Sequence, residues 1–127
     1  MSEDHLGAFK IEPLKAKNWV AYKRRITAVL RELDLLDYVT GSKKDRPVPI
    51  KVRDADGVET VTNLDDLEAW DVKDRKAQTR FELTISDGEL VHLTGAKTAA
   101  QMWTQLCAVK EARGIQGILA TRRRLYK

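Results

Sequence analysis

The sequence predicts an all-α domain, a compact bundle of about five helices carrying one β-hairpin-like insertion. Three observations carry that expectation. Apolar residues recur at spacings of three and four in several separate runs, the signature of helices with one buried face. Cap-type residues stand just ahead of three of those runs: Asn18, then Asn63 or Asp65, then Thr98. Between residues 42 and 63 the pattern switches to β-branched residues alternating with polar ones around Asp56-Gly57, as in a hairpin.

Residues 1–8 read as a flexible terminus and residues 9–127 as one helical domain with the insertion at 42–63. Phe9-Lys10-Ile11-Glu12 alternates apolar and polar, and Pro13 follows, so an extended lead-in is expected. The first helix follows Asn18 and places Trp19, Tyr22, Ile26, Val29, Leu30 and Leu33 on one stripe, with Lys23, Arg24 and Arg31 opposite. A shorter apolar unit runs from Leu35 to Val39 and stops at Thr40-Gly41, where glycine suits a C-terminal cap. In the insertion Val48, Ile50 and Val52 alternate with Pro49, Lys51 and Arg53, and Asp54 to Gly57 is turn chemistry. An isolated hairpin is marginal in water, so this one packs on the helices or stays mobile.

The next helix runs to about Ile85. Its apolar side is Leu67, Trp70, Ala77, Phe81 and Leu83 or Thr84, with Asp74 in the same register. That heptad-like side is either internal packing or a seam to a partner. Ser86-Asp87-Gly88 opens a short turn containing Leu90, Val91 and Leu93. Thr98 caps a helix bearing Met102, Trp103, Leu106, Cys107 and Val109, and Gly114 and Gly117 interrupt the pattern before the basic end. The expected core is Trp19, Tyr22, Trp70, Phe81, Trp103 and Leu106. The three tryptophans, each on the stripe of a different helix, are expected to meet there, because indole rings bury large areas.

At 127 residues the chain is long enough for one domain with a real core. Hydrophobic residues make up 43% and charged residues 33%, which excludes a disordered chain. No run approaches the ~18 apolar residues of a membrane span, so no membrane partner is expected. The polar, acidic start Met1-Ser2-Glu3-Asp4 is unlike a signal peptide, and a single cysteine fits a reducing, cytoplasmic setting. Through Ala112 basic residues number 18 against 19 acidic ones. The last 15 residues hold Arg113, Arg122, Arg123, Arg124 and Lys127 and no acid. Those five are the candidate nucleic-acid contacts; the alternatives are a solvated helix face or arginines paired with acids such as Asp71 and Asp74.

Catalytic signatures do not occur. There is no G-x-S-x-G, no phosphate-binding loop, no H-E-x-x-H and no paired C-x-x-C. Cys107 shares a stripe with Trp103 and reads as a buried small hydrophobe. His92 has no partner that the sequence identifies, and His5 is far away. The expectation is no enzyme, no catalytic or metal site, no cofactor and no small-molecule substrate.

The order of these pieces resembles the Gag polyprotein of copia-type LTR retrotransposons, in a style closest to fungal members. Phe9-Lys10-Ile11, Leu14 and Asn18-Trp19-Val20-Ala21-Tyr22-Lys23-Arg24-Arg25 are similar to that family's opening. Leu33 through Gly41 resembles the close of its first helical unit. Trp70, Asp74, Ala77 and Ile85-Ser86-Asp87 resemble its next helix, and Thr94 to Ala99 with Met102, Trp103 and Leu106 the one after. Arg122-Arg123-Arg124-Leu125-Tyr126 is similar to the basic step that follows. The resemblance implies the N-terminal lobe of a retrotransposon capsid, a structural protein that self-assembles into virus-like particles packaging RNA. The second capsid lobe and the zinc knuckle C-x-x-C-x-x-x-x-H-x-x-x-x-C are not found in this stretch. It then reads as part of a longer Gag or as a truncated, domesticated copy, self-associating weakly in isolation. Two other readings stay open: a domesticated adaptor that binds a partner peptide, and a weak nucleic-acid-binding module.

Overall fold

A computed structural model describes residues 10–125, with side chains through Ala112. The element order is α1 (Trp19–Glu32), a 3₁₀ turn (Leu36–Tyr38), β1 (Lys51–Arg53), β2 (Glu59–Val61), α2 (Leu64–Thr84), a 3₁₀ helix (Asp87–Leu93) and α3 (Ala99–Leu125). The described chain is mostly helical with one antiparallel hairpin. Its full α-helices number three rather than about five. The two short apolar units expected as helices are 3₁₀ segments of three and seven residues.

Helix α1 buries Tyr22, Ile26, Val29 and Leu30, the stripe read from the sequence. Asn18 stands at its N-cap position, but its side chain caps nothing. Instead Asn18 Oδ1 accepts from the Lys15 amide at 2.6 Å and Nδ2 donates to the Pro13 carbonyl at 2.9 Å, closing the lead-in loop. The helix ends on Asp34, the only described non-glycine residue with positive φ (58°). The Leu35 amide reaches back to the Leu30 carbonyl at 2.7 Å and the Asp34 amide to Arg31 at 3.1 Å. That is a Schellman stop, sealed by Leu30 and Leu35, both buried. Gly41 is needed for a different reason than a left-handed cap. A Cβ there would lie 2.7 Å from the Asp37 Cα, so the chain crosses too closely for any side chain.

The lead-in is stapled to the end of α2. Leu14, fully buried, forms a parallel bridge with Ile85: its amide donates to the Thr84 carbonyl at 2.8 Å and its carbonyl accepts from the Ser86 amide at 3.0 Å. Beside it the Tyr22 hydroxyl bonds Thr84 Oγ1 at 2.8 Å, and burial pushes the phenol up to about 12. Thr84, not Leu83, therefore faces the core; Leu83 is exposed.

Helix α2 turns Leu67, Trp70, Asp74, Ala77 and Phe81 inward. Its heptad-like side is thus occupied inside the fold and leaves no seam for a second chain. Asp74 shares the buried stripe because it works at the start of α3. Its Oδ1 accepts from the Ala99 amide at 2.9 Å while Gln78 Nε2 donates to Oδ2 at 2.7 Å. Thr98 Oγ1 accepts from the Gln101 amide at 3.2 Å, so two side chains cap one helix. A carboxylate at a helix N-terminus also offsets the helix dipole.

The tryptophans do not share one core. Trp19, half-buried, and Trp103 stand 5.7 Å apart, and Trp103 stacks on Phe81 at 5.7 Å. Trp70, though only 6% exposed, packs on Tyr38 at 6.3 Å instead. Half of α2 separates the two clusters, since Trp70 and Phe81 lie three turns apart along the helix. Tyr22, Phe81 and Leu106 are fully buried in the cluster that holds Trp103.

Candidate functional site

Three regions bear on function: the insertion, a buried polar cluster where the second 3₁₀ helix meets the middle of α3, and the basic end read from the sequence.

The insertion is an ordered hairpin with a built root. Lys51 pairs with Val61, Val52 with Thr60 and Arg53 with Glu59. Asp54 Oδ1 accepts the amides of Asp56 and Val58, both at 2.9 Å, and Gly57 takes φ 81°, the left-handed conformation that favours glycine. Asn63, expected to cap α2, clamps the hairpin base: Oδ1 accepts from the Ile50 amide at 2.8 Å and Nδ2 donates to the Val48 carbonyl at 2.9 Å. Two further ties hold the approach to α2. Trp70 Nε1 donates to the Lys43 carbonyl at 2.7 Å, and Arg46 grips both oxygens of Asp71 at 2.9 and 3.0 Å. Arg46 keeps the Asp71 carboxyl below the ordinary carboxylate range. Beyond the root nothing covers the strands. Val52 is 50% and Val58 57% exposed there, and at the root itself the Val48 and Ile50 side chains are exposed as well.

The polar cluster was not legible as a unit in sequence. Glu89, on the 3₁₀ helix, is buried between Lys110 Nζ and His92 Nε2, the latter at 3.1 Å. Lys110 also donates to the Lys15 carbonyl at 3.3 Å, tying α3 to the lead-in. The Lys110 ammonium, with His92 adding to it, holds the Glu89 carboxyl below its ordinary value. His92 therefore has a partner, and that partner already serves a structural ion pair. One signal pointed here: Lys110 lies four residues past Leu106 and seven past Trp103, on a stripe that is otherwise apolar. Cys107 is half-buried, and burial followed by nearby Glu111 pushes its thiol up to about 11. A thiol that remains protonated at neutral pH is a poor nucleophile.

Of the candidate nucleic-acid contacts, Arg113, Arg122, Arg123 and Arg124 fall on the backbone run of α3. Their side chains, and Lys127 as a whole, lie outside the described residues, as does the 1–8 terminus. The acids once set against them are already engaged: Asp71 by Arg46, Asp74 by Gln78 and the start of α3. Among the described residues no group of three or more His, Cys, Asp or Glu side chains could hold a metal ion. No described helix is long and apolar enough to cross a membrane.

A family model described as gag-polypeptide of LTR copia-type matches residues 26–127. The match begins inside α1, so the opening motif from Phe9 to Arg25 stands outside it, while the hairpin, both later helices and the polar cluster stand within. No curated protein and no solved structure matches the chain.

Proposed function

The chain belongs to the copia-type LTR Gag family, and from that premise we propose that it is the N-terminal capsid-like lobe of a Gag, a self-associating building block of particles that enclose RNA. A Gag domain is structural rather than enzymatic, and the proposal extends this to the chain itself: it lacks catalytic turnover and works in the cytoplasm. One observation supports it most. The core is closed on itself, whereas the hairpin is held by a designed root and then left uncovered. Such exposed apolar surface on an otherwise satisfied fold marks an interaction site.

RNA contact falls to the basic end. Were the segment helical throughout, its five cations could not all face one strand, because successive residues turn 100°. About three contacts give a log-affinity slope against log salt of about −2 for single strands. That is weak, sequence-independent binding, useful when many copies act together. Sedimentation velocity over tens to hundreds of micromolar, with and without single-stranded RNA, tests the reading. The expected result is weak, concentration-dependent association that RNA promotes and salt reverses. A strictly monomeric chain that ignores RNA would overturn it.

A further inference from the structure

Besides Leu64 at its first position, α2 exposes two large apolar residues, Val72 and Leu83. Val72 is 40% and Leu83 73% exposed, and between them, with Leu33 and Leu35, they line a shallow groove where α2 meets the end of α1. The charged residues of that lining are Lys73, Arg75, Lys76 and Arg80, and none is acidic. The hairpin is the opposite object: a narrow projection with Val52 and Val58 exposed near its tip. Arg53 is paired with Glu59 at 3.3 Å, which leaves Asp54 and Asp56 to set the sign of the tip.

We propose that the acidic, apolar hairpin tip of one copy docks into the basic, apolar groove beside α2 of a second copy of this chain. The inference rests on the self-association reading and names its surface. Shape and charge both favour the second copy. Each surface is apolar at its centre, and their rims carry opposite charge, which steers encounter and fixes orientation. Asn63, Trp70 and Asp71 root the hairpin on the first half of α2, whereas the groove lining runs from Val72 to Leu83. Because donor and acceptor surfaces differ, one contact leaves a free hairpin on one copy and a free groove on the other; these either meet each other and close a twofold pair or engage further copies. Each contact is small, so association is weak singly and grows through repetition.

The test is charge exchange read by sedimentation equilibrium on the full chain. Asp56 is suitable because its side chain takes no part in the turn, whose bonds go through the Asp54 carboxylate. One variant carries Asp56→Lys and another Lys73→Glu with Lys76→Glu. Each alone is expected to weaken self-association by about tenfold, as like-charge contacts at a rim do. Mixing the two variants, or joining the substitutions in one chain, is expected to recover most of it, and recovery on mixing also shows that both variants fold. Association of the wild type that neither variant disturbs, or that the combination fails to recover, overturns this docking while leaving self-association standing. A wild type that is monomeric throughout overturns both.

Discussion

The helical core and the hairpin are built by opposite rules. In the core every polar side chain that goes inside arrives with its partners: Asp74 with Gln78 and the Ala99 amide, Glu89 with Lys110 and His92, Tyr22 with Thr84. No buried polar side-chain atom among the described residues is left without a hydrogen bond. In the hairpin the side-chain bonding lies at the root, in the turn and in the one cross-strand Arg53–Glu59 pair, and the apolar side chains go outside. Burial of apolar area stabilises at about 25 cal/mol per Å². The core collects that free energy within one chain, and the exposed valines of the hairpin collect little of it there. The difference separates what holds the fold from what the fold presents.

The sharpest way to break this comparison is to damage the core. Phe81→Ala removes a fully buried ring stacked on Trp103, and a loss of about 3–5 kcal/mol is expected in a denaturant melt, with helicity and association both failing. Next comes the ion pair. Lys110→Met strands the Glu89 carboxylate with His92 alone, and about 3 kcal/mol should be lost, since a broken buried pair leaves an uncompensated charge. The same cluster predicts a pH dependence. Because the folded Glu89 carboxyl lies below its ordinary 4.5, its contribution is fully present above that value and disappears as pH falls through the lower, folded one. Stability measured from pH 6 downward should fall less steeply in Glu89→Gln than in the wild type, after allowing for the variant's lower starting point.

Smaller effects belong to the junction between the two regions. Trp70→Phe keeps the packing on Tyr38 but deletes the bond to the Lys43 carbonyl, so about 1 kcal/mol is expected, with faster amide exchange at the hairpin root. If instead it unfolds the helices, root and core are not separable. The smallest effect has the opposite sign. Asp34→Gly relieves a left-handed residue at the end of α1 and should stabilise by about 0.5 kcal/mol, visible as a slightly raised Tm.

What the sequence made legible follows from periodicity. The stripes on α1, α2 and α3 are local patterns, and Tyr22, Ile26, Ala77, Phe81 and Leu106 fall inside as their spacing required. The hairpin turn was legible because Asp54 and Gly57 act within five residues of each other. Partnerships across the chain were not. Asn18 and Asn63 look like caps, yet each is drawn to loop backbone that competes for the same side-chain amide. Trp70 carries the right spacing for the common core, but spacing along a helix does not say which neighbour covers each turn, and Tyr38 covers this one. Glu89 and Lys110 are 21 positions apart, and only the fold brings them together.

The most direct test of the division between core and hairpin removes the hairpin itself. The Thr62 amide already lies 2.9 Å from the Ile50 carbonyl, so a short Gly-Gly link can replace Lys51–Val61 without stretching the ends. The measurement is sedimentation equilibrium of that shortened chain, with its far-UV helical signal recorded on the same sample. The predicted result is an unchanged helical signal with self-association reduced at least about tenfold, the loss expected from removing one contact surface. Collapse of the helical signal would show the hairpin to be part of the core, and undiminished association would show that the chain meets its copies elsewhere.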